Sequence, residues 1–125
     1  MANTRTALIA FAAGRIAFGV GLVAAPGKVA GGWLGQDAER GPTQIAIRGL
    51  GARDIALSAG MLLALDDPDR LAPWLAVTIG SDLTDMAATL AAPVDALPSN
   101  AKWGTAALAG AAAAAGAVLL AAAKR

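Results

Sequence analysis

Four apolar stretches constrain this chain more than any other feature. They are "TRTALIAFAAGRIAFGVGLVAA" (4–25), "TQIAIRGLGARDIALSAGMLLAL" (43–65), "LAPWLAVTIGSDLTDMAATLAA" (71–92) and "WGTAALAGAAAAAGAVLLAAA" (103–123). Each is close to the ~20 residues that a helix needs to cross the hydrocarbon core of a bilayer. Ala and Leu dominate and no period-two alternation appears, so strands are not expected. Pro42, Pro68, Pro93 and Pro98 fall between the stretches, where helix breakers belong. The expectation is one all-α domain over residues 1–125, an integral membrane four-helix bundle with up-down topology.

Composition argues the same way. Hydrophobic residues make up 57% of the chain and charged residues 15%, and the mean hydropathy is +0.58. A small domain has much surface for its volume and should be more polar than average, whereas this one is less so. The expected partner is the lipid bilayer and the expected location the cell membrane, as a multi-pass protein. If both termini are cytoplasmic, the inner side carries Arg5, Arg70, Lys124 and Arg125 and the outer side Lys28, Arg40 and Lys102, the arrangement that the positive-inside rule favours by one residue. Trp33, Trp74 and Trp103 all lie near predicted helix ends, where an aromatic belt sits at the headgroups. The segment "GKVAGGWLG" in the first loop suits a short interfacial helix.

Several chemistries are excluded. Cysteine and histidine are absent, which removes disulfides, thiolate nucleophiles, the usual haem and transition-metal ligands and the usual neutral-pH base. No metal and no cofactor is expected, since "DLTD" offers a hard cation only two carboxylates. A net charge of +1, scattered basic residues and five aromatic residues give no nucleic-acid footprint. No lysine lies mid-stretch to form a Schiff base, and "GLGARD" lacks the third glycine of a phosphate-binding loop.

The informative residues are the charges inside the apolar stretches: Arg15, Arg48, Arg53, Asp54, Asp82 and Asp85. A lone charge at mid-bilayer costs ~2.5–3.5 kcal/mol on insertion scales, so three basic and three acidic groups are expected to pair within the bundle. Thr78, Asp82, Asp85 and Thr89 follow i, i+4, i+7, i+11 and form one polar stripe, which must face protein or a cavity. Gln44, Arg48, Gly51, Asp54 and Ser58 share a sector of roughly 120°, and Arg53 points about 140° away from Arg48. Arg53 must serve another helix or a second protomer, unless the helix is irregular at Gly49-Leu50-Gly51. Counting depth along the helices makes Arg48–Asp85 the expected pair, with Arg53 or Arg15 meeting Asp54 or Asp82. Phe11 and Phe18 share a face with Arg15 and can shelter its guanidinium. The fourth stretch, with Gly104, Gly110 and Gly116 among alanines, reads as a closely packed structural brace.

At "RGLGARDIALSAGMLLAL" and "DLTDMAA" the chain resembles a group of small four-span bacterial membrane proteins, common in actinobacteria and broadly DoxX-like. The resemblance covers most of the chain in length, hydropathy and span count, and it implies a fold without bringing an activity with it.

The charges outnumber what helix register requires, so a site is expected. As a binding or carrier protein, the chain would hold the polar part of a lipophilic or lipid-like small molecule on Arg15, Arg48, Arg53, Asp54, Asp82 and Asp85, with the arginine forks suited to a carboxylate or phosphate. Gly49, Gly51, Ala52 and Ser58 would leave space beside the charges. As an intramembrane isomerase or cyclase, it would use Asp54, Asp82 and Asp85 as catalytic acid and base. The other readings are a structural subunit of a larger membrane complex or homo-oligomer, and a minimal proton or ion path.

Overall fold

The computed structural model describes residues 2–93, 95–98 and 100–124, and among these there is no strand. The chain forms α1 (Ala2–Ala24), α2 (Pro26–Leu34), α3 (Gly41–Leu63), α4 (Pro68–Ala91) and α5 (Ala101–Ala123), with a 3-10 turn at Gly35–Glu39 before α3. The short α2 falls on the segment expected to be helical between the first two apolar stretches. α4 starts before its apolar stretch because the Asp67 side chain accepts hydrogen bonds from the backbone N–H groups of Asp69 and Arg70, at 3.1 and 3.3 Å. Pro68 then occupies the first turn, where its missing N–H costs nothing.

Two clusters show which helix ends meet. The first joins Leu8 of α1, Met61 of α3, Leu71 and Leu75 of α4, and partly buried Leu119 and Leu120 of α5. Arg5 forms an exposed ion pair with Asp66 at the same end. The second cluster joins Leu22 of α1, Ala30 of α2, Ala38 of the 3-10 turn and Ile47 of α3. α1 packs chiefly on α3 and α4 chiefly on α5, while α1 touches α5, and α3 touches α4, less extensively.

The α1–α3 contact is a crossing of bare backbones. A Cβ on Gly19 would lie 2.6 Å from the Gly51 carbonyl oxygen, and a Cβ on Gly51 would lie 2.6 Å from that of Gly19. Gly51 therefore does not leave space beside the charges, as expected from sequence, because α1 fills it. Gly49 faces open surroundings, with nothing within 4 Å of a Cβ. α5 closes on α4 through Gly116, opposite Ile79, and Gly110, opposite Met86. Gly104 makes no such contact.

Two helices, Asn3–Ala24 and Ala101–Ala123, are long and apolar enough to cross a membrane. α3 and α4 are equally long but carry the charges, and they bury polar side chains together with Ile47, Met61, Leu71 and Leu75. Asp54, Ser58, Thr78, Asp82 and Thr89 are buried, whereas Ile45, Leu63, Val77 and Leu83 are exposed. α1 and α5 likewise turn Val20 and Val118 outward.

Candidate functional site

The polar stripe of α4 faces inward, and its aspartates meet arginines from two other helices. Arg15 places its fork on Asp82, with Nη1–Oδ2 and Nη2–Oδ1 both 2.9 Å, and its Nη2 also lies 3.2 Å from Asp54 Oδ1. Arg53 grips Asp85, with Nη2–Oδ2 at 2.8 Å and Nη1–Oδ1 at 3.4 Å, and its Nη2 lies 3.6 Å from Asp54 Oδ1. Asp54 thus bridges the two ion pairs through one oxygen. Five of the six expected residues join in one chain of contacts, Asp85–Arg53–Asp54–Arg15–Asp82. The Phe11 ring lies 5.5 Å from the Arg15 guanidinium carbon, close enough for the expected cation–π contact.

Arg48 is the exception, and the expected Arg48–Asp85 pair does not form. Arg48 is exposed, and its Nε donates to the Val23 carbonyl at 3.1 Å, capping the C-terminal end of α1. Lys102 does the same for α4 by donating to the Ala92 carbonyl at 2.8 Å. The error has a geometric cause. α3 presents one edge of its buried arc to α1 and the other to α4. Arg48 stands at the α1 edge, beside Gly51, and Arg53 at the α4 edge. The 140° between them is legible in the sequence, but the side on which α4 packs is not, and depth alone cannot choose between the two arginines. The sequence also credited the arginine forks to an incoming carboxylate or phosphate, yet the forks of Arg15 and Arg53 are occupied by Asp82 and Asp85.

Above this cluster lies a cavity of about 590 Å³. Its walls are α1 (Phe11, Gly14, Phe18) and α5 (Leu108, Ala109, Ala112, Ala115), its polar floor is Arg15, Asp54, Asp82 and Asp85, and Trp33 of α2 and Leu50 of α3 complete the lining. The cavity exists because α1 and α5 are both neighbours of other helices more than of each other, and because glycine and alanine leave their facing surfaces low. Trp33, expected in an aromatic belt, is half-buried and lines the cavity, unlike exposed Trp103. α5, expected as a closely packed brace, is one against α4 through Gly110 and Gly116, and it also forms a wall of the cavity, with Thr105 the polar side chain it contributes. A run of small residues on an uncharged helix was the available signal, and it is equally the signal of close packing. Comparison with protein-family models, with curated proteins and with solved structures gives no match to the chain.

Proposed function

We propose that this chain is a multi-pass membrane protein whose α1, α3, α4 and α5 cross the bilayer in alternate directions, and that the cleft between α1 and α5 holds a lipophilic small molecule with its polar part on the Arg/Asp cluster. The observation that carries the reading is the cavity. At about 590 Å³ it falls in the size range of small-molecule sites, and it joins apolar walls to a few convergent polar groups. A cluster that served only to fix helix register would be sealed by packing. Here Arg15, Asp54, Asp82 and Asp85 all line an open space. The outward apolar side chains on all four long helices suit a lipid surroundings, with both termini on the cytoplasmic side.

An acid–base enzyme acting on a lipophilic substrate shares this geometry. One observation favours it as the second reading: Asp54 presents a carboxylate to the cavity without having both oxygens engaged by arginine.

Native mass spectrometry of protein extracted gently from membranes tests the proposal. A co-purified lipophilic molecule that is lost when Ala112 is enlarged to Phe supports a ligand site. If the bound species leaves changed in composition after incubation, and Asp54→Asn stops the change without stopping binding, the enzyme reading prevails. If nothing co-purifies and Ala112→Phe is without effect, the cluster is structural and the chain serves as a subunit of a membrane complex.

A further inference from the structure

The buried cluster does not balance its charges. Arg15 and Arg53 supply two guanidinium groups, and Asp54, Asp82 and Asp85 supply three carboxylates. Arg48, which would have made the count even, is exposed and committed to the Val23 carbonyl. The excess has a definite place. Asp82 has both oxygens engaged by Arg15, and Asp85 has both engaged by Arg53. Asp54 shares Oδ1 between the two arginines, while its Oδ2 accepts no hydrogen bond among the described residues. Yet Asp54 is only 5% exposed, and it lines the cavity. A buried carboxylate in excess is costly unless it takes up a proton or something positive meets it.

The walls point the same way. Three of the chain's five aromatic residues, Phe11, Phe18 and Trp33, line the cavity, and aromatic faces attract cations. The one basic side chain in the lining is Arg15, whose fork is occupied. An anionic head entering here would find three carboxylates and no free guanidinium fork. A metal ion is poorly served, because among the described residues no three acidic side chains stand close enough together to hold one, and the walls are apolar.

We infer that the cleft selects a lipophilic cation: an alkyl chain lies between α1 and α5, and a protonated amine sits on Asp54 Oδ2. The inference rests on the reading of the cleft as a ligand site and specifies its ligand class. With the ammonium in place, the charges of the cluster sum to zero.

The test is calorimetric titration of the full chain, in nanodiscs of zwitterionic lipid, with three ligands of equal chain length: dodecylamine, dodecanoate and dodecanol. Empty nanodiscs supply the blank. The expected result is saturable binding of the amine at least about tenfold tighter than the carboxylate, since opposite charges a few ångströms apart in protein surroundings are worth more than that. Asp54→Asn should abolish the preference of amine over alcohol while circular dichroism remains helical. Should that variant fail to fold, the ratio of amine to carboxylate in the natural chain decides the matter. Competition by phosphatidylethanolamine would identify the source of the ammonium as a lipid headgroup, and its absence a free amine. Dodecanoate or dodecanol binding as tightly as the amine overturns this inference and leaves the ligand site standing. If none of the three binds, both fall together.

Discussion

Arg15 holds Asp82 by both oxygens, at 2.9 Å each, although the two residues stand on α1 and α4, whose backbones nowhere come close. The pair spans the interior of the molecule, and both side chains are largely buried. Removing Asp82 leaves Arg15 its 3.2 Å contact with Asp54. Asp82→Ala is therefore expected to destabilise the protein by about 1.5–3 kcal/mol, the range for hydrogen bonds to a charged group, and the double change Arg15→Met with Asp82→Leu by less than the two single changes added together. Unfolding titrations in mixed detergent micelles compare the three variants. Losses that simply add would mean that the pair is not closed.

Arg48 and Arg53 lie five positions apart and are expected to behave differently. Arg48→Ala should change stability by no more than about 1 kcal/mol, because the side chain is exposed and contributes one hydrogen bond to a helix end. Arg53→Ala should cost more, since it leaves Asp85 without its fork. A double-mutant cycle should give coupling for Arg53 with Asp85 and none for Arg48 with Asp85. Coupling between Arg48 and Asp85 would contradict the arrangement of α3 against α4.

The Gly19–Gly51 crossing sets the distance between Arg15 and Asp54. Gly51→Ala pushes a methyl group against the backbone of α1, and a cost of about 1–3 kcal/mol is expected from overpacking. Gly49→Ala, two residues away in open surroundings, should be neutral or stabilising by up to about 1 kcal/mol, because alanine is the better helix former. Thermal unfolding of the two variants side by side is the measurement.

Because the chain contains no cysteine, single cysteines can map its surroundings cleanly. Val20→Cys, Val77→Cys and Val118→Cys, all exposed in the fold, should resist a water-soluble maleimide in membranes and react in denaturant. Asn100→Cys should react from outside intact cells, and Asp66→Cys only after the cells are opened. Ready labelling of Val77→Cys in intact membranes would show that α4 does not cross the bilayer.

Enlarging Ala112 to Phe fills the cavity without touching the charges. Helical content and unfolding midpoint should hold, and ligand retention in native mass spectrometry should fall to background. Retention unchanged would place any ligand elsewhere on the surface.

The sequence by itself determined the helices. Apolar stretches of about twenty residues punctuated by proline leave the backbone no other way to satisfy its hydrogen bonds in apolar surroundings, and the i, i+4, i+7 spacing of Thr78, Asp82 and Asp85 required that stripe to turn inward. It also showed that Arg53 diverges from Arg48 and Asp54, because that angle follows from helix geometry alone. Only the tertiary structure decided the partners. Which edge of α3 meets α4 depends on how four helices share their neighbours, and that is settled where Gly19 and Gly51 let α1 and α3 touch backbone to backbone. Once α1 takes the Arg48 edge, Arg53 is the arginine left for Asp85, and Arg15 reaches Asp82 across the interior. The cavity was hidden for a related reason: a wall of alanine and glycine reads the same whether a neighbouring helix lies against it or stands away from it.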